Sequence, residues 1–89
     1  MPVVRVHGPL RKLAGGTADH VLTADTVSGL MTVLEASHPG LRGWVLDERG
    51  VIRRHINVYV NGELCAGDTP VAQNDRVEVL PAISGGWLE

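Results

Sequence analysis

Ile56-Asn57-Val58-Tyr59-Val60-Asn61-Gly62 constrains this chain more than any other segment. Ile56, Val58 and Val60 alternate with Asn57 and Tyr59, so a strand here has an apolar face and a more polar one. Asn61-Gly62 supplies two residues that accept positive φ, the requirement of a two-residue hairpin turn. Glu63 to Ala66 is therefore expected to return as a short strand. Arg76 to Leu80 alternates in the same way, with Val77 and Val79 against Arg76 and Glu78. Asn74-Asp75 turns the chain into that strand and Pro81 stops it. Near the start, Val3 to His7 is rich in β-branched residues and reads as a strand that Gly8-Pro9 breaks. Gly15-Gly16 marks a hairpin turn, and Asp19 to Thr23 is the paired second strand.

Between these hairpins lies one clear amphipathic helix. Val27, Leu30, Met31 and Leu34 recur at helical spacing and form one buried stripe. Thr26 or Asp25 caps its first turn by accepting from free backbone N–H groups. Gly29 weakens it by about 1 kcal/mol relative to Ala, and His38-Pro39-Gly40 ends it. Leu41 to Asp47 is expected to form a short turn or helix that brings Trp44 into the core or over it. Strand, strand, helix, strand, strand, strand gives a two-layer α+β domain, a mixed sheet packed on one main helix. A right-handed crossover puts the first and last strands side by side at the centre of the sheet, the β-grasp (ubiquitin-like) arrangement.

The 89 residues allow one small domain, and 44% hydrophobic residues can fill a core. Aromatics are 3% and Phe is absent, so that core is aliphatic. Few aromatics and a net charge of −2 exclude base-stacking and phosphate-neutralising modes of nucleic-acid binding. No apolar run reaches the roughly 20 residues that span a bilayer. Met1-Pro2-Val3-Val4-Arg5 lacks the basic and apolar regions of a signal peptide. The single Cys65 makes no internal disulfide, and a cytoplasmic location is expected.

No catalytic constellation emerges. Leu64 and Ala66 beside Cys65 point to a partly buried structural thiol without a cation next to it. His7, His20, His38 and His55 are scattered, without the spacing of a metal site. Glu35, Asp47 and Glu48 form no evident acid–base pair. Arg11-Lys12 and Arg53-Arg54-His55 read as solvated basic runs, and Gly15-Gly16 lacks the spacing of a phosphate loop. A carrier or co-substrate, not an enzyme, is the expectation, with no bound cofactor and no metal.

The distinctive chemistry follows the last strand, in Ala82-Ile83-Ser84-Gly85-Gly86-Trp87-Leu88-Glu89. Without Cβ atoms, a Gly-Gly tail can lie extended in a narrow channel and bring its carbonyl close to a reactive group. The stretch Asn57-Val58-Tyr59-Val60-Asn61-Gly62-Glu63, and Asn74 through Pro81 followed by Ala82-Ile83-Ser84-Gly85-Gly86, resembles the sulfur carriers of the molybdopterin-synthase-small-subunit and thiamin-carrier superfamily. Thr26-Val27 opening the helix and His38-Pro39-Gly40-Leu41 closing it extend the resemblance over nearly the whole folded chain. It is greatest to the branch serving cysteine synthesis or specialised metabolites. The resemblance implies a ubiquitin-like domain over residues 1–81, a tail over 82–86 with Ser84 and Gly85 leading to Gly86, and an extension over 87–89. Gly86 would be adenylated by a ubiquitin-activating-like enzyme that uses ATP, then converted to a thiocarboxylate that gives sulfide to a synthase. Carriers that act directly end at the second glycine. Here the Gly86–Trp87 bond would first be cut by a JAMM-type zinc metalloprotease; were Leu88-Glu89 vector-derived, Trp87 would still block Gly86. The superfamily also implies two alternatives, the small subunit of molybdopterin synthase and a ubiquitin-like protein modifier.

Overall fold

The elements run β1 (Val3–Val6), α1 (Pro9–Leu13), β2 (Asp19–Val21), α2 (Val27–Ser37), a 3-10 turn (Pro39–Leu41), β3 (Ile56–Val60), β4 (Glu63–Cys65) and β5 (Arg76–Pro81). They are seen in a computed structural model that describes residues 2–81. The five strands form one sheet in the order β2-β1-β5-β3-β4. β1 and β5 pair in parallel, Val4 opposite Val77 and Val6 opposite Val79, and every other pairing is antiparallel. First and last strands thus meet at the centre, as the β-grasp arrangement requires.

Local chemistry explains the elements. Thr26, in extended geometry, caps α2, and its hydroxyl accepts from the Gly29 N–H at 3.1 Å. Gly29 has a packing reason for its place in the helix. A Cβ there would stand 3.0 Å from the Ala24 side chain and 3.2 Å from the cap hydroxyl. His38 ends α2, its N–H bonding the Leu34 carbonyl. Asn61 and Gly62 both have positive φ, 52° and 88°, and form the expected β3–β4 turn. The Asn61 amide does further work: it accepts from the Arg76 N–H and donates to Asp75, tying this turn to the start of β5.

Val27, Leu30, Met31 and Leu34 of α2 are buried, with Val4, Val6, Ile56, Val58, Val60, Val77 and Val79 from the sheet. The core is aliphatic, as composition demands. Among the described residues no helix is long and apolar enough to cross a membrane.

The structure corrects three expectations. First, β1 and β2 are not joined by a simple glycine turn. The helix α1 lies between them, with Pro9 at its first turn, where no N–H is needed, and Leu10 buried. Gly15 and Gly16, both at positive φ, follow that helix. Second, Trp44 is not in the core. It is 51% exposed, while Leu41, Val45 and Leu46 turn inward in its place. The chain there forms a tight turn, one of the two forms expected, with Trp44 N–H on the Leu41 carbonyl. Third, strand ends shift: β2 stops at Val21 rather than Thr23, and β5 runs on to Pro81, paired with Ile56.

Candidate functional site

The site residues named from sequence, Ser84, Gly85, Gly86 and Trp87, lie outside the described residues. What the structure places is the platform that carries them. β5 is hydrogen-bonded on both sides, by β1 and β3, and Val77 and Val79 anchor it in the core. β5 ends at Pro81, opposite Ile56.

Register defines the surface beside this strand end. On the face away from α2, Leu80 sits opposite Asn57, Glu78 opposite Tyr59, and Tyr59 opposite Leu64. Tyr59 and Leu80 are half-buried and Leu64 is 62% exposed. Together they make an apolar patch leading towards Pro81. Polar groups flank it. His7 Nε2 lies 3.0 Å from Glu78 Oε1, and Arg5 holds Asp19 across β1–β2 with bonds of 2.7 and 3.2 Å. Such exposed pairs add little stability; they fix a polar rim. The Arg5 guanidinium, chiefly by hydrogen bonding, holds the Asp19 carboxyl below the usual carboxylate range.

The polar residues weighed as catalytic candidates are occupied structurally. Glu35 Oε2 accepts from the Val45 and Leu46 N–H groups at 3.0 and 2.9 Å, pinning the loop after the 3-10 turn to α2. Asp47 accepts from the Arg49 side chain and from the Arg49 and Val51 N–H groups. The Arg49 side chain first, then the Val51 N–H, lower its pKa to about 2. Arg53 donates to the Gly43 carbonyl at 2.6 Å. Cys65 is partly buried, as its apolar neighbours suggested, and its Sγ lies 3.2 Å from the Glu63 carbonyl.

Two histidines dismissed as scattered are in fact joined. His20 Nε2 is 2.8 Å from the Thr17 carbonyl, which can only accept, so this nitrogen carries the proton. His20 Nδ1 is then free to accept from His38 Nε2, 3.1 Å away. The pair ties β2 to the end of α2. Its partners are 18 positions apart in the chain, so no sequence spacing could reveal it. Among the described residues no group of three or more His, Cys, Asp or Glu side chains is arranged to hold a metal ion.

Known proteins share this platform. Residues 4–86 match the ThiS family. The sulfur carrier protein CysO of Mycobacterium bovis is 34% identical, over 86% of this chain and 89% of that protein. The small archaeal modifier protein 1 of Haloferax volcanii is 36% identical, over 68% of this chain and 70% of its own. Among solved structures, a chain in the Amycolatopsis orientalis BexX/CysO complex superposes with a TM-score of 0.85 at 29% identity, covering 97% of this chain and 100% of that one. A sheet built around parallel first and last strands and a match over residues 4–86 lead to one conclusion: this chain belongs to the ThiS family of ubiquitin-like, β-grasp proteins.

Proposed function

We propose that this protein is a sulfur carrier whose working group is the carboxylate of Gly86. The observation that carries the reading is where the family match stops. It runs from residue 4 to Gly86, and Trp87-Leu88-Glu89 lies beyond it. The likeness to a protein named as a sulfur carrier supports the same reading.

The chemistry asks little of the folded domain. A carboxylate is a poor electrophile, because resonance and negative charge oppose attack. A Gly86 carboxylate oxygen attacks the α-phosphorus of ATP and releases pyrophosphate, leaving an acyl-adenylate. A sulfide-equivalent donor then attacks the acyl carbon, AMP departs, and the product is a C-terminal thiocarboxylate. Transfer of its sulfur to an acceptor, with water restoring the carboxylate, completes the cycle. ATP belongs to the adenylating enzyme, so the carrier needs no cofactor of its own. It is a co-substrate rather than a catalyst, in keeping with the structural employment of Glu35, Asp47 and Cys65. We assign the Tyr59–Leu64–Leu80 patch to recognition by that ubiquitin-activating-like enzyme, since it borders the strand that delivers the tail. The acceptor is a synthase making cysteine or another sulfur-containing metabolite. A relative seen in complex with BexX supports a partner protein docking on this fold.

The test is mass spectrometry. A chain ending at Gly86, incubated with its adenylating enzyme, ATP and a sulfide donor, gains the mass of one oxygen replaced by sulfur. No gain, with the enzyme active on another carrier, overturns the proposal. A protein-modifier role is the second reading, favoured by the likeness to the small archaeal modifier. It predicts Gly86 in isopeptide linkage to lysines of other proteins in host extract.

A further inference from the structure

His20 and His38 bring two ring nitrogens together from fixed backbone. His20 stands opposite Val4 across β1–β2, so its side chain lies with that of Val4 on the helix side of the sheet, where it is 9% exposed. His38 is the C-cap of α2, its backbone N–H on the Leu34 carbonyl. Two residues on, a Cβ at Gly40 would stand 2.7 Å from the Leu13 carbonyl oxygen, so the chain after His38 packs tightly against the end of α1.

Two features of the pair are those of metal ligands. The first is spacing. His20 Nδ1 and His38 Nε2 are 3.1 Å apart. Two imidazole nitrogens bound at about 2.0–2.1 Å to one tetrahedral ion stand about 3.3–3.4 Å apart, a shift of a few tenths of an ångström. The ring planes cross at 72° with centroids 4.6 Å apart, so the rings meet at an angle rather than head-on, as two ligands of one ion do. The second is the far nitrogen of His20. Its Nε2–H donates to the Thr17 carbonyl at 2.8 Å. A backbone carbonyl in that position fixes the tautomer and ring orientation of a ligating histidine. Here it leaves Nδ1 as a lone pair directed at His38.

We propose that His20 Nδ1 and His38 Nε2 bind a divalent metal ion of the kind that favours imidazole, with Zn(II) as the probe and water completing the coordination. His38 is half-buried, which gives that water access. The ion takes the place of the hydrogen bond between the rings. Neutral His38 loses its Nε2 proton to solvent and takes one up at Nδ1, so no net proton is released. The ion then joins the edge strand β2 to the end of α2 through two coordinate bonds. The inference goes beyond sulfur carriage, and its test involves neither ATP nor sulfur.

The experiment adds Zn(II) to the untagged full chain, first stripped of metal with EDTA, and follows the ring-nitrogen NMR signals at neutral pH. His20 Nδ1 should move to a metal-bound position with its Nε2–H retained, while the His38 proton passes from Nε2 to Nδ1. The thermal midpoint should rise with Zn(II), by about 5–10 °C at ten times the dissociation constant, and return when EDTA is added. His38→Gln keeps a hydrogen-bond donor for His20 but offers no ring nitrogen. It should stay folded by circular dichroism and lose both responses. His55→Gln, at an exposed histidine, should keep them. Ring signals of His20 and His38 unmoved by excess Zn(II) overturn the site. An equal midpoint rise in His38→Gln, or a response that vanishes in His55→Gln, assigns the ion elsewhere and overturns it as well.

Discussion

Glu35 shows how much one side chain can hold. Its carboxylate receives two backbone N–H groups from Val45 and Leu46, both buried residues. Glu35→Ala leaves those donors without a charged acceptor and should cost about 2–3 kcal/mol in urea unfolding; a loss under about 0.5 kcal/mol would show that water replaces the carboxylate freely. Cys65 is the opposite case. Its thiol bonds a neighbouring carbonyl and lies on a short edge strand. If the reactive sulfur sits on Gly86, Cys65→Ala should transfer sulfide at the parent rate in a single-turnover assay. Loss of transfer in a folded Cys65→Ala protein would move the chemistry to the side chain.

At the level of elements, legibility followed periodicity. α2 and β3 were readable because each is long enough to show its repeat, and because Thr26, Asn61-Gly62 and His38-Pro39 punctuate them. α1 was not, since five residues cannot display a 3.6-residue period, and Gly8-Pro9 reads equally well as a break. Trp44 misled because large aromatics are usually buried, whereas here Leu41, Val45 and Leu46 are the buried side chains. The Gly-Gly motif lies outside the described residues. The end of β5 opposite Ile56 was not legible, because register between distant strands is a property of the assembled sheet. The helix face is a firm test of what was read correctly. Leu34 is fully buried, so Leu34→Ala should cost roughly 2–5 kcal/mol by chemical denaturation. In a domain holding about 5–10 kcal/mol in total, that is a large share. A change below about 0.5 kcal/mol would mean that the helix presents another face to the sheet.

For the whole molecule, acid and the proposed processing act on different parts. Asp19, Asp47 and Asp75 all have carboxyl pKa values lowered in the fold: by Arg5, by Arg49 and the Val51 N–H, and by the Ala72 N–H and Asn61, respectively. A lowered folded pKa means that the unfolded chain binds protons first as pH falls. Stability from these groups is therefore complete above about pH 4 and is lost between there and about pH 2, where Asp47 itself titrates. The thermal midpoint should fall across that window, and Asp47→Asn should flatten the fall; an equally steep fall in that variant would assign it to other carboxylates. The proposed processing turns on covalent state instead. With Trp87 attached, the Gly86 carbonyl is an amide, which has no carboxylate oxygen to attack ATP. A bulky indole also obstructs any channel shaped for bare glycine backbone. The chain ending at Glu89 should then be inert to its adenylating enzyme, and a hydrolase cutting between Gly86 and Trp87 should switch it on. A zinc enzyme suits that cut, because the metal polarises the scissile carbonyl and generates hydroxide from water at neutral pH. ATP–pyrophosphate exchange compares the two forms directly. Exchange should be at background with the longer chain and rapid with the chain ending at Gly86. If the longer chain exchanges as fast while its mass stays unchanged, Trp87-Leu88-Glu89 is no cap and activation does not wait for cleavage.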